Sequence, residues 1–166
     1  MDAQAAMRTL TAARAAQGVL LQADRLADAW QTWEGCLLEA RVSDPLNEDF
    51  YTEAYLLLLI AHQFGQSVTR TVSLSPAWIV GFDLEDLRMV RNLWEHRDEK
   101  IQIGVGRWRE KQCRQEWLDK TYPGGWLQVY SVSSGPSGMS IGKVVNVEQL
   151  KSVATNVMSM VRGQFV

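Results

Sequence analysis

The chain has 166 residues, of which 46% are hydrophobic and 22% are charged, as in a single globular domain that can bury a core. Its two cysteines, Cys36 and Cys113, have no neighbouring cysteine or histidine, which excludes a disulfide framework and a standard zinc site. The net charge of −2 argues against broad, nonspecific binding to nucleic acid.

Neither a secretion signal nor a membrane span is predicted. The N-terminal stretch has an early acid and only a weak apolar run, which is not the pattern of a signal peptide. The longest apolar run, AYLLLLIA at residues 54–61, is about half as long as a membrane-spanning helix requires. We therefore expect a cytoplasmic protein with no membrane partner.

The first 40 residues are rich in alanine and favour a helix. Their second half carries one apolar stripe with three- and four-residue spacing, made of Val19, Ala23, Leu26, Trp30, Trp33 and Leu37. Gly18 marks the expected bend or boundary between a short first helix and this longer one. Pro45 then interrupts the pattern, because the residue before a proline is pushed out of helical geometry.

A second helix is predicted over residues 48–64, and its LLLLI run is apolar on every side, as expected for the most buried helix. Asp83 is placed to cap a third helix, whose apolar side continues to about residue 103. Its apolar positions are Leu84, Leu87, Val90, Trp94 and Ile101. A short helix near residues 109–120 and a turn at 122–125 follow.

The segments WLQVYSV (126–132) and MSIGKVV (139–145) alternate as strands do, and the intervening SSGPSG predicts a hairpin with a flexible loop. This loop is either a substrate loop or a structural cover. Asn146 is placed to cap a last helix, with Gln149 in the capping-box position. The sum is a mainly α protein: an up-and-down four-helix bundle, in one domain over residues 1–166, with a small β-hairpin before the last helix.

The charges are unevenly distributed along the chain. Residues 1–63 carry nine acids and four bases, whereas residues 88–114 carry eight bases and four acids. This local excess of +4 is either a solvated helix with its following loop or an anion site suited to phosphates. Trp108, Trp117 and Trp126 lie within or shortly after this stretch, and flank its basic loop. They either pack in the core or stack on bases.

The segment VRNLWEHRDEK (90–100) is the main candidate for chemistry, since it holds one of the two histidines. Glu95, His96, Asp98 and Glu99 do not form a convincing metal site, because His96 lies 100° from Glu95 on the helix and no second ligand cluster is evident. No metal or cofactor is therefore predicted. The other histidine, His62, is interpreted as a helix-end residue with a satisfied ring nitrogen.

Arg91 and His96 lie about 140° apart on an ideal helix. Their side chains in one copy of the chain are therefore poorly placed to contact the same small chemical group. Two such helices brought together across a two-fold axis would pool two arginines and two histidines in one cleft.

The sequence RNLWEH (91–96), on a late helix of a predicted bundle, resembles the arginine–(four to six residues)–histidine signature of the HEPN superfamily (higher eukaryotes and prokaryotes nucleotide-binding domains). A polar residue directly after the arginine is typical of that signature, and Asn92 supplies it. The following HRDE resembles uncharacterised bacterial members. The motif covers six residues, and the helical order covers most of the chain.

The resemblance implies a homodimer whose motif helices face each other, acting as a metal-independent endoribonuclease of the toxin or defence type. It implies that His96 is the general acid or base, that Arg91 holds the phosphate, and that Asn92 orients the histidine or the phosphate. Glu95 either pairs with Arg91 or tunes the histidine. Further substrate contacts are expected from nearby side chains, namely Arg88, Glu95, Lys100, Arg107 and Arg109.

A function of a different class stays open, because many HEPN members are catalytically silent. In that case the chain is a non-catalytic binding or dimerisation module, with Arg91, Glu95 and Glu99 in an interface network of ion pairs. Such a module would bind a partner protein or a nucleotide through this face. Beyond the homodimer and RNA, an antitoxin or a nucleotidyltransferase-like protein is a candidate partner of the chain. A solvated helix face without function at the motif is the third interpretation.

Overall fold

A computed structural model describes residues 3–38, 44–71, 83–95 and 112–164. These residues form five α-helices, one 3₁₀ helix and three short strands. In chain order they are α1 (Ala3–Leu38), α2 (Asp44–Thr69), α3 (Leu84–Glu95), α4 (Gln112–Thr121), the 3₁₀ helix (Trp126–Tyr130), β1 (Val132–Gly135), β2 (Gly138–Ile141), β3 (Val145–Asn146) and α5 (Val147–Gln164). The protein is mainly helical, as predicted, and a small antiparallel sheet precedes the last helix.

The helix α1 is continuous through Gly18, so the predicted boundary between two helices at this residue is wrong. A Cβ atom at Gly18 would lie 3.2 Å from Ile60 Cγ2 of α2. The absence of a side chain at this position therefore allows α1 and α2 to pack closely. Near it, the buried Gln22 donates hydrogen bonds from Nε2 to the backbone oxygen (3.2 Å) and the carboxylate of Glu53 on α2.

The helix α2 is longer than predicted at both ends. Asp44 belongs to the helix, because Pro45 falls in the first turn, where a proline costs no hydrogen bond. At the other end the helix continues past Phe64 to Thr69, and Val68 in this extension is buried. Gly65 lies directly against Leu84 Cδ2 at the start of α3, leaving no space for a Cβ atom.

The predicted start of α3 is confirmed. Asp83 Oδ1 accepts hydrogen bonds from the backbone N–H groups of Glu85 (2.7 Å) and Asp86 (3.2 Å), as an N-cap does. Leu87, Val90 and Trp94 are buried, which confirms the apolar side of this helix. The predicted continuation to residue 103 lies outside the described residues. The short helix predicted near 109–120 is present as α4.

The predicted hairpin is present, but its boundaries differ. The WLQVY segment forms the 3₁₀ helix instead of a strand, and the SSGPSG segment contributes to β1 and β2 with only Pro136 and Ser137 between them. The expected flexible loop is therefore a tight hairpin, with Gly135 paired to Gly138. A third strand, β3, pairs with β2 and makes a three-stranded sheet in the order β1-β2-β3.

The last helix starts as predicted, because Asn146 Oδ1 accepts a hydrogen bond from the backbone N–H of Gln149 at 2.8 Å. The helix α1 packs against both α2 and α5, and α2 also packs against α3. An ion pair between Lys151 Nζ and Asp24 Oδ1 (2.9 Å) joins α5 to α1 at the surface. None of the helices within the described ranges is long and apolar enough to cross a membrane.

The far end of α3 is fixed by two buried hydrogen bonds to the 3₁₀ helix. Trp94 Nε1 donates to the backbone oxygen of Val129 at 2.8 Å, and the Tyr130 hydroxyl donates to the backbone oxygen of Leu93 at 3.0 Å. Tyr122, after α4, donates to the backbone oxygen of Gly142. The first two bonds anchor α3 to the 3₁₀ helix, and the third ties the end of α4 to the turn between β2 and β3.

Gly142 lies where the backbone of this junction approaches closely, and replacing it by alanine should be costly. Its φ is +57°, and a Cβ atom there would lie 2.8 Å from the Val129 oxygen. We expect Gly142→Ala to lower the free energy of unfolding by about 2 kcal/mol or more, measured by urea denaturation. Gly135→Ala is the matched control, since a Cβ there meets no atom within 4 Å. Equal stability of the two variants would contradict this account of the junction.

Candidate functional site

Four of the predicted site residues lie on α3, namely Arg88, Arg91, Asn92 and Glu95. The other four, His96, Lys100, Arg107 and Arg109, lie outside the described residues. The described half of the site is therefore the polar face of α3, opposite the side that Leu87, Val90 and Trp94 bury.

Arg91 is held by two neighbours on its own helix. Its Nε and Nη2 atoms donate to Asn92 Oδ1 at 3.1 and 2.5 Å, and Nη2 also donates to Glu95 Oε2 at 2.7 Å. The Arg91 side chain is 23% exposed and that of Glu95 is 39% exposed. Of the two roles that the sequence left open for Glu95, the structure shows the pairing with Arg91. Asn92 contacts the arginine, so it helps to orient the guanidinium.

Arg88 forms a second pair one turn earlier. Its Nε and Nη2 atoms donate to the two carboxylate oxygens of Glu85, at 3.0 and 2.5 Å, and both side chains are more than half exposed. Each arginine of α3 thus has a glutamate partner on the same helix. The net positive charge that the sequence predicts for residues 88–114 therefore does not come from α3. It comes from the basic residues after residue 95.

His62 lies beside this face, although the sequence assigned it no role. It is inside α2, seven residues before the helix ends, so its interpretation as a helix-end residue is wrong. Its Nε2 atom lies 3.4 Å from Gln66 Nε2. Burial lowers the pKa of His62, the nearby positive charges of Arg91 and Arg88 lower that pKa further, and Glu95 partly opposes them.

The structure therefore brings the His62 ring within electrostatic range of Arg91 and Arg88 in a single copy of the chain. The signal in the sequence was weak: His62 and Gln66 are two polar residues four positions apart that follow the apolar LLLLI run. The packing of α2 against α3, which helical periodicity does not specify, brings His62 near the arginines.

One of the three flanking tryptophans can be assigned. Trp117 Nε1 donates to Asp86 Oδ1 at 2.7 Å, and its ring packs edge-on against Tyr122 with centroids 5.5 Å apart. Trp117 therefore packs within the fold, which is the first of the two predicted roles, core packing and base stacking. Burial, with a smaller contribution from the Asp86 carboxylate, raises the pKa of the Tyr122 hydroxyl, which keeps it protonated as a donor. Trp108 and the side chain of Trp126 lie outside what the structure describes.

A metal centre has no basis in the described parts of the chain, where no group of three or more histidine, cysteine, aspartate or glutamate side chains could hold an ion. Comparisons with known proteins give no family assignment. No family model matches the chain, and neither curated proteins nor solved structures show a significant match to it.

The His62 pKa provides a direct test of the geometry between α2 and α3. NMR titration of the imidazole should give a midpoint below 6.5, the ordinary value for histidine. Arg91→Gln should raise this midpoint because it removes a positive charge, whereas Glu95→Gln should lower it. Arg14→Gln, an exposed site on α1, is the control. A midpoint unaffected by Arg91→Gln would contradict the placement of His62 beside Arg91.

The same shift has a defined effect on stability. Well above pH 6.5, His62 is neutral in both the folded and the unfolded chain, so it causes no pH dependence. As the pH falls below 6.5, the unfolded chain takes up the proton first, and the free energy of unfolding decreases. His62→Gln should remove this part of the acid sensitivity in urea denaturation at pH 5 to 7.

Proposed function

We propose that the chain is a HEPN-like protein that cleaves RNA without a metal, through a composite site formed where the α3 helices of two copies meet. The observation that carries this proposal is the fixed position of the Arg91 guanidinium. Asn92 and Glu95 hold it on the polar face of α3, and the buried bonds of Trp94 and Tyr130 hold α3 itself. A preorganised cation is what a phosphate undergoing substitution needs.

The proposal includes a specific bundle topology. The helices α1, α2, α3 and α5 would be the four members of a HEPN-type bundle, and α4 with the small sheet would be an insertion before the last helix. The packing of α1 on α2 and α5, and of α2 on α3, supports this arrangement.

In the proposed reaction, the RNA 2′-oxygen attacks the neighbouring phosphorus while the bond to the 5′-oxygen breaks. A histidine accepts the proton of the 2′-hydroxyl, and a second histidine donates a proton to the leaving 5′-oxygen. The products are a 2′,3′-cyclic phosphate and a 5′-hydroxyl end. Two copies of His96 would supply the two histidines, and Arg91 would stabilise the charge on the phosphate.

His62 offers a second source of an imidazole. Its lowered pKa favours the neutral form, which can accept a proton at neutral pH. Comparing His62→Gln with His96→Gln therefore identifies which ring takes part in the proposed cleavage.

One observation favours a second candidate, the non-catalytic binding module. The Arg91–Glu95 ion pair is what an interface network would contain, and it neutralises the arginine that a phosphate would need. The occupant of that face would then be a protein, either a second copy, an antitoxin or a nucleotidyltransferase-like partner. Growth after induced expression separates the two candidates: toxicity that Arg91→Ala abolishes supports the nuclease, and harmless expression supports the module.

Cleavage should be measured on a mixed RNA pool in the presence of EDTA. We expect wild-type protein to produce 2′,3′-cyclic phosphate ends, and Arg91→Ala or His96→Ala to reduce the rate by about a hundredfold or more. Arg162→Ala, an exposed arginine in the last turn of α5, is the matched control and should retain the wild-type rate. Absence of cleavage by the wild type, or equal cleavage by His96→Ala, would contradict the composite site.

Glu95 should act as a competitor for the RNA phosphate. Its carboxylate occupies Arg91 Nη2 at 2.7 Å, so a phosphate must displace it or share the guanidinium. We expect Glu95→Gln to tighten RNA binding several-fold in fluorescence anisotropy, because a neutral amide competes less than a carboxylate. Weaker RNA binding by Glu95→Gln would show that Glu95 supports the site instead of occupying it.

A further inference from the structure

A cationic feature that includes no residue of α3 lies between the start of α1 and the end of α2. A cavity of about 630 Å³ opens there. It is lined by Gln4, Met7, Arg8 and Thr11 of α1 and by Ser67 and Arg70 at the end of α2. The cavity is within the size range of small-molecule sites, and it contains no residue of the polar face of α3.

The two arginines bring positive charge into this cavity without a visible counter-charge. No acidic side chain is among the described residues that line it. The ion pairs of the described segments involve Arg88, Arg91 and Lys151, and neither Arg8 nor Arg70 takes part in them. An arginine cannot relieve this repulsion by losing its proton, since its pKa lies above 12. An anion in the cavity would be stabilised by both guanidinium groups.

The other lining groups limit what else can donate to such an anion. The Thr11 hydroxyl donates to the Met7 oxygen at 2.8 Å, and the Ser67 hydroxyl donates to the Gln63 oxygen at 2.9 Å. Both hydroxyl protons are therefore used within their own helices. The remaining donors are the two guanidinium groups and the Gln4 amide. The N-terminal end of α1 favours an anion here and the C-terminal end of α2 opposes it, so the two arginines supply the main positive charge.

We infer that this cavity binds a small phosphate monoester, with its phosphate between Arg8 and Arg70. A monoester carries nearly two negative charges at pH 7, which matches two guanidinium groups, whereas a phosphodiester such as RNA carries only one per phosphate. The volume exceeds that of a phosphate group, which leaves room for an organic part. The Met7 side chain, 61% exposed, provides an apolar wall for it.

Calorimetric titration of the full chain tests this inference with glycerol 3-phosphate as the monoester, dimethyl phosphate as the diester, and an RNA oligonucleotide. We expect glycerol 3-phosphate to bind more tightly than dimethyl phosphate, and its binding to strengthen as the pH rises through about 6, where the second proton leaves. Arg8→Gln and Arg70→Gln should each weaken binding of the monoester about tenfold, because each removes a charged donor.

Arg14→Gln is the matched control, since Arg14 is an exposed arginine on α1 that does not line the cavity. It should leave the affinity unchanged. Arg70→Lys keeps the charge but removes the forked geometry, so an intermediate affinity is expected. Circular dichroism of each variant checks that the helices remain folded. Three results would overturn the inference: no binding of glycerol 3-phosphate at millimolar concentration, equal binding of dimethyl phosphate, or RNA binding that Arg8→Gln weakens equally.

Discussion

The burial of the Trp94 indole, with its N–H donated to the backbone oxygen of Val129, is the interaction on which the site depends. Both groups are almost inaccessible to solvent, so neither could exchange this bond for one to water without opening the core. The reciprocal bond from Tyr130 to Leu93 closes the same junction. Together they fix the end of α3 immediately before the histidine of the motif. The orientation of the polar face of α3 thus follows from buried contacts on its opposite side.

The long helix α1 provides the second constraint, because it packs against both α2 and α5. Gly18 allows α1 and α2 to approach closely, and the buried Gln22 finds its partners on Glu53 of α2. The position of α2 in turn decides which of its residues lie beside α3. His62 reaches the neighbourhood of Arg91 through this chain of packing contacts. Its lowered pKa is a consequence of tertiary structure, since its own helix supplies none of the charges responsible.

Four of the arginines that the structure describes form two electrostatic groups. Arg88 and Arg91 are each balanced by a glutamate on the same helix, and such exposed pairs contribute only a few tenths of a kcal/mol to about 1 kcal/mol of stability. The main effect of these ion pairs is to orient the two guanidinium groups. Arg8 and Arg70 approach one cavity from two helices and take part in none of the described ion pairs. The first arrangement suits a site where charge is redistributed during a reaction, and the second suits simple capture of an anion.

Local patterns in the sequence determined the elements that depend on local physics. The Asp83 and Asn146 caps, the apolar side of α3 and the mainly helical class follow from side-chain type and a 3.6-residue period, and the structure confirms them. Gly18 and the WLQVY segment were misread, because a glycine's role depends on what approaches it and alternation alone does not distinguish a strand from a buried 3₁₀ turn. Only the tertiary structure paired Arg91 with its neighbours, placed His62 beside it and brought Arg8 and Arg70 to one cavity. These are relations between side-chain directions and between helices distant in the chain, which periodicity along one helix does not encode.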